Sequence, residues 1–214
     1  MCRVNTETDS TPDELLPWWK NPLNIALMLL VLVITAGSIG FAIGRTDSVA
    51  AHNQIDTGFL QDMRIHHEQA VTMSVVYLGA SPQGNALLHT IAREIMLDQS
   101  AENGRMAQML RMFGESETNE SDTAMGWMGM PVPLEEMTGM ATDSELQSLY
   151  KARNAQADKI FATLMIAHHK GGLHMAEFVN THGKNKEVVA LAHAIITSQT
   201  SEINELTKIL AQLS

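Results

Sequence analysis

Two segments of the chain carry the same chemistry-bearing pattern. Residues 59–75 read FLQDMRIHHEQAVTMSV and residues 161–177 read FATLMIAHHKGGLHMAE. Set 102 positions apart, they match at Phe59/Phe161, Met63/Met165, His66/His168, His67/His169 and Met73/Met175, with Asp56/Asp158 upstream in the same register. A histidine pair flanked by methionines, met twice, points to internal duplication around a shared site. On a helix, Met63 lies three residues before His66 and four before His67, so the three side chains can approach one point of the surface. Met165 stands in the same relation to His168 and His169. Successive residues diverge by about 100° around a helix. One histidine of each pair is therefore expected to face inward, His66 and His168 being favoured, and the other to face a groove or an adjacent helix.

Imidazole nitrogen with thioether sulfur is a ligand set that suits copper, because thioethers select soft Cu(I) while imidazole accepts Cu(II), zinc and others. A second repeated element, at an offset of 100, is Gln99-x-x-Glu102 and Gln199-x-x-Glu202. Carboxylates are seldom buried without a partner, and the histidines are the available ones. Glu102 and Glu202 are expected to converge with His66 and His168, as ligands or as acceptors that orient the imidazoles. The candidate metal site is thus His66, His67, His168, His169, Met63, Met73, Met165, Met175, Glu102 and Glu202, with a copper ion as the favoured occupant. The same residues admit a metal-free reading, a His–Glu network kept for register or titrating near neutral pH in a structural, sensor or interaction module. Methionine at core-facing spacing is more often packing than ligand. Of the other histidines, His89, His174 and His193 fall outside the repeat, His174 being placed on the surface, and His52 and His182 are expected to be exposed.

These groups need helices to hold them. Residues 59, 63, 66, 70, 73 and 77 form a core-facing stripe at helical spacing, and 161, 165, 168, 172, 175 and 179 repeat it. The pattern predicts a first helix from about Ser48 to Gly79 and a second from Ser81-Pro82 to about Phe113, stopped by Gly114. A third runs from Asp143 or Ser144 to about Thr181, and a fourth from about Asn185 to Leu213. Ile91, Ile95, Met106 and Met109 make the inner stripe of the second helix, and Ala192, Ile195, Leu206 and Ile209 that of the fourth. Two hairpins with short turns and one long crossover describe an all-α four-helix bundle built from a duplicated pair. The crossover, 114–142, is methionine-rich, and its Met125, Met128, Met130, Met137 and Met140 are weaker candidates for handing over soft ions.

Residues 23–44, bounded by Lys20 and Arg45, are almost uninterrupted apolar sequence, and about 20 such residues span a bilayer as a helix. A cleaved signal with Ala36-Gly37-Ser38 as its processing site is the competing reading. The long leader before the segment and the apolar continuation Ile39–Gly44 favour an uncleaved anchor. The organisation expected is a cytoplasmic tail over 1–22, a transmembrane anchor over 23–44 and a bundle domain over 45–214. Arg3 and Lys20 on the amino-terminal side, against Arg45, place the bundle outside the cytoplasm of a single-pass cell-membrane protein. After residue 45 there are 11 basic and 20 acidic side chains, a balance of −9. That argues against nucleic acid as a partner and is compatible with attracting cations. Cys2, the one cysteine, has no intramolecular disulfide partner. Partners are expected to be the metal ion and the membrane, and self-association into a homo-oligomer is left open.

Enzymatic motifs are missing. No Glu-x-x-His occurs, against ferritin-type di-iron chemistry, and His67-Glu68 lacks the second histidine of an H-E-x-x-H hydrolase. No catalytic residue is assigned, and sequestration, buffering or delivery is favoured over turnover of a substrate, with a copper-dependent redox enzyme, which would need an open coordination position, as a third reading. The pattern Asn53…Asp56…Phe59…Met63…His66-His67…Ala70…Met73, followed by Gln99…Glu102 and then repeated, closely resembles the bacterial family called domain of unknown function 305 over about residues 51–212. The resemblance implies a ferritin-like four-helix bundle, exported or membrane-anchored, in a family with some members linked to copper binding and tolerance. Its motif falls on Met63, His66, His67, Met73, Met165, His168, His169 and Met175. The second copy departs from the first at Gly171-Gly172, where the first has Gln69-Ala70. Adjacent glycines cost helix stability but allow close approach of a neighbouring helix or ligand.

Overall fold

The computed structural model describes residues 17–44 and 50–213, in two compact units divided after Ser48. The first unit is helix α1, Pro22–Gly44, entered through a single 3-10 turn at Trp18–Lys20. Pro22 occupies the first helical position, where its missing N–H costs nothing. Over Pro22–Phe41 the mean hydropathy is 2.3, making α1 long and apolar enough to cross a membrane. The polar leader with Cys2 and Arg3, and Arg45, lie outside the described residues.

The regular elements of the second unit are helices apart from one two-residue antiparallel pair in an otherwise irregular crossover. Helix α2 spans Gln54–Ala80 and α3 Ala86–Phe113, with β1 (Thr123–Ala124) and β2 (Val132–Pro133) in the crossover. Helix α4 follows at Asp143–Lys151, then α5 at Ala155–His182 and α6 at Lys186–Leu213. The chain is therefore all-α, as its periodicity indicates. Helices α2 and α3 form one hairpin, α5 and α6 another, and α2 packs on α5 while α3 and α6 barely touch. Every position of the two predicted stripes is buried: Phe59, Met63, His66, Ala70, Met73 and Tyr77 on α2, and Phe161, Met165, His168, Gly172, Met175 and Val179 on α5. The stripes of α3 and α6 are buried as well.

Local sequence sets the boundaries. Asn53 and Asp56 build a reciprocal capping box that starts α2 at Gln54, later than the expected Ser48. Asn85 accepts from the N–H groups of Leu87 and Leu88, so α3 begins at Ala86 and Ser81–Asn85 is a turn, not the helix's opening. Gly114 stops α3 in the left-handed conformation, φ 71°. The expected third helix is two helices. Ala152 is extended and Asn154 has φ 47°, while the Arg153 guanidinium bonds the Tyr150 and Ala152 carbonyls. The break lets α4 fold against both α2 and α5 and bury Leu149 and Ala152.

The two hairpins are tied to each other by the repeated aspartates. Asp158, at the start of α5, accepts from Tyr77 Oη (2.8 Å), Ser81 Oγ (2.7 Å) and the Asn85 N–H (2.8 Å) in the other hairpin's turn. Asp56, at the start of α2, accepts from the N–H groups of Lys184 (3.0 Å) and Asn185 (3.0 Å) in the α5–α6 turn. Asn185 then caps α6 as Asn85 caps α3. Both aspartates are buried, and their oxygens are satisfied by the N–H and O–H donors of the facing turn.

Candidate metal centre

The four repeated histidines are fully buried, at 0% exposure, in one layer across the middle of the bundle. His66 and His168 stack with ring centroids 3.7 Å apart at the α2–α5 contact. Their neighbours turn toward the flanking helices: His67 Nε2 lies 2.7 Å from Glu102 Oε2 on α3, and His169 Nε2 lies 2.5 Å from Glu202 Oε2 on α6. The inward assignment of His66 and His168 thus agrees with the geometry, but their expected pairing with the glutamates does not. The reason is angular. The histidine that points from α2 toward α3, or from α5 toward α6, is the second of each pair, and it is the one that meets a carboxylate.

These contacts fix the imidazole tautomers. A carboxylate or carbonyl accepts, so the facing ring nitrogen donates. His67 and His169 donate from Nε2 to Glu102 and Glu202, and His66 donates from Nε2 to the Thr138 carbonyl at 3.3 Å. In the neutral ring Nδ1 then carries a lone pair. The Nδ1 atoms of His66, His67 and His169 are all buried without a hydrogen-bond partner, as are both ring nitrogens of His168. Native proteins rarely bury polar atoms unpaired, since each costs about 1–3 kcal/mol. Burial, with the nearby His67 and His169, holds the His66 pKa down to about 3. His168 is lowered well below its ordinary value by burial and by His66, His169 and His67. Both rings are neutral at pH 7, the form in which imidazole binds a metal.

The methionines flank this layer in two pairs. Met63 and Met175 belong to the hydrophobic cluster on one side, and Met73 and Met165 to that on the other, all with no exposed surface. Among the described residues no three His, Cys, Asp or Glu side chains gather tightly enough to hold an ion by themselves. An ion at this layer would therefore draw on the thioethers or on a side-chain rotation. Gln99 and Gln199 add further unpaired buried atoms, Gln99 Oε1 and both amide atoms of Gln199. Glu102 and Glu202 are partly open, at 22% and 20% exposure.

The crossover closes the layer on the α2–α5 side, through residues the repeat does not contain. Asp62 accepts from Asn119 Nδ2, the Met125 N–H and Trp127 Nε1, each at 2.7 Å. Gln69 exchanges two bonds with Ala141, donating to its carbonyl at 2.9 Å and accepting from its N–H at 2.7 Å. On α5 the matching position is Gly171, and a Cβ there would collide with the Thr138 carbonyl. The departure between the two copies is thus the seat of a single segment: Gln69 grips it and Gly171 makes room for it. Gly172 likewise admits Gln199, whose Oε1 would lie 2.5 Å from an added Cβ. Of the loop methionines, Met125 and Met137 are buried and Met130 is exposed. His182 is exposed and His174 lies on the surface as expected, whereas His52 is half-buried, stacked on Phe113 at 4.3 Å.

Residues 56–210 match the family domain of unknown function (DUF305), and the chain belongs to it. Among solved structures, a DUF305 protein from Streptomyces coelicolor is similar, with 33% identity, TM-score 0.68, and 74% of this chain and 93% of that one covered. A DUF305 fragment from Deinococcus radiodurans has 26% identity and TM-score 0.64, covering 76% and 99%. CopM in its Cu(I)-bound form has 27% identity and TM-score 0.55, covering 73% and 96%. CopM is also known in Cu(II)-bound and silver-bound forms. Among curated proteins, none matches this sequence.

Proposed function

We propose that the bundle binds a transition-metal ion, copper first, at the histidine layer, to sequester, buffer or deliver it. One observation carries this reading: five imidazole nitrogens of His66, His67, His168 and His169 are buried with no hydrogen-bond partner. A purely structural His–Glu network would have used them. Glu102, Glu202 and the Thr138 carbonyl each hold an Nε2–H, the arrangement by which outer partners orient metal-bound histidines. Met63, Met73, Met165 and Met175 supply thioethers, which favour Cu(I) over harder ions. The likeness to CopM, whose structures hold copper and silver, supports a soft or borderline ion in a fold of this kind.

The segment 23–44 serves as a single-pass anchor, with 1–22 as a cytoplasmic tail and 45–214 as an extracytoplasmic domain. The apolar length of α1 supports this, and so does the absence of cysteine after Cys2, since methionine holds copper where thiols would oxidise.

The test is titration of the full chain in detergent with Cu(I) and Cu(II) against a calibrated chelator, with Zn(II) alongside. Tight copper binding at a fixed ratio, lost in the His66→Ala/His168→Ala and His67→Ala/His169→Ala variants with helicity retained, is expected. Binding no tighter than that of the quadruple histidine variant would refute the reading. The metal-free network is favoured by the two His–Glu pairs, and it would show instead as a large stability loss in each histidine variant with no metal dependence.

A further inference from the structure

The side of the bundle opposite the crossover is not closed. Because α3 and α6 barely touch, a cleft of about 370 Å³ lies between them, lined by Asp98, Gln99, Glu102, Arg105, Ala194 and Glu202, among others. Its lining includes the two carboxylates that bond the buried histidines. Each carboxylate uses Oε2 for its histidine, and its Oε1 has no hydrogen bond among the described residues. Gln99, only 4% exposed, lines the same cleft and leaves its Oε1 unpartnered. Three acidic residues face one basic residue here, and Arg105 is engaged with Glu187 at 3.4 Å.

The geometry points to this cleft as the loading port of the histidine layer, where a hydrated divalent transition-metal cation is first captured by the partly open Glu102 and Glu202 carboxylates, with the buried Gln99 amide oxygen as the next donor inward. This deepens the metal-binding reading and rests on it. The crossover side is sealed: Thr138 sits on Gly171 with no space for a Cβ, and Gln69 pins Ala141. The α3–α6 side presents oxygen donors that suit a hydrated ion. Directly behind them stand imidazoles that bind it more tightly. An ion held at Glu102 or Glu202 is one side chain from the histidine layer and moves inward past the His67 or His169 ring to the unpaired Nδ1 atoms, the Nε2–H bonds to the glutamates being kept. A net negative, partly enclosed cleft also raises the local concentration of cations and their arrival rate, in a salt-dependent way.

The experiment separates rate from affinity. Full-length chain in detergent is mixed with aqueous Cu(II) in a stopped-flow instrument, and equilibrium affinity is measured on the same samples. Ala194→Trp and Ala101→Trp fill the cleft from positions outside the candidate ligand set, and Asp98→Asn removes charge at its rim without adding bulk. Met130→Trp places the same bulk on the crossover. The cleft-filling variants are expected to load at least tenfold more slowly, with affinity and stoichiometry kept. Asp98→Asn is expected to load more slowly with a weaker salt dependence, and Met130→Trp to load as wild type. Wild-type loading rates in both cleft-filling variants, or slowing by Met130→Trp alone, would overturn the port. Loss of equilibrium binding in the wild-type chain would overturn the metal reading itself, and the port with it.

Discussion

Acid should destabilise the metal-free protein earlier than carboxylate protonation alone would. The His66 pKa is held down to about 3 against an ordinary 6.5, chiefly by burial, and His168 shifts in the same direction. A depressed histidine means that the unfolded chain binds the proton that the native state refuses. Stability is therefore complete above the unfolded pKa and falls as pH drops from about 6.5 toward 3. Each pH unit in that window removes about 1.4 kcal/mol per such group, so His66 alone costs about 2 kcal/mol between pH 6.5 and 5. For a chain of this size that is roughly 4–8 °C in Tm, and His168 adds to it. His52 works the other way, its pKa being raised by the Ala50 carbonyl and by Glu115, but it is solvent-screened and supplies a control. The assay is urea unfolding of the full chain in detergent with chelator present, followed by circular dichroism at pH 7.5, 6.5, 5.5 and 5.0. A His66→Gln/His168→Gln variant should flatten the profile, and His52→Ala should leave it nearly unchanged. Stability that stays level or rises from pH 7.5 to 5, or an unchanged slope in the double variant, would refute the reasoning.

Three further outcomes are expected. Glu102→Ala with Glu202→Ala removes the acceptors at 2.7 and 2.5 Å that fix the His67 and His169 tautomers; copper affinity by chelator competition should fall about 10–100-fold. Asp158→Ala strands Tyr77 Oη and the Asn85 N–H and leaves Ser81 Oγ only the Asn154 carbonyl, and should cost about 3 kcal/mol in denaturant unfolding. Gly171→Ala gains about 1 kcal/mol of helix propensity but drives a Cβ into the Thr138 backbone. The net should be a loss of about 1 kcal/mol with faster proteolysis of the crossover, whereas Gly79→Ala, which meets nothing, should stabilise.

The sequence was informative wherever a physical period existed. A stripe at helical spacing forces burial of its members, so the helices and the inward histidines were readable from Phe59 to Tyr77 and from Phe161 to Val179. The doubled Met-x-x-His-His element likewise marks the family whose model matches residues 56–210. The features without a sequence signal depend on contacts between distant segments. Nothing periodic marks the break at Ala152–Asn154, because it is set by where α4 packs and by a guanidinium taking up freed carbonyls. The glutamates meet the second histidine of each pair, where the spacing points to convergence with the first, since a one-residue step of about 100° decides which ring meets α3 or α6. Asp62 and Gln69 gave no signal as crossover anchors. Each is one polar residue in an amphipathic helix, and only the folded chain reveals what it holds. The Gly171-Gly172 departure was visible, but its occupant was not.

The reciprocal aspartate ties carry a consequence for how the molecule comes apart. Each hairpin's turn is completed by a side chain of the other hairpin, Asp158 for Ser81–Asn85 and Asp56 for Lys184–Asn185. Neither hairpin can satisfy its own turn alone, so the halves make one cooperative unit despite their resemblance to each other. Cutting the chain in the crossover near Glu120 should leave two fragments that are poorly folded apart and that reassemble when mixed. Such a split protein would report the meeting of its halves by the return of helical signal.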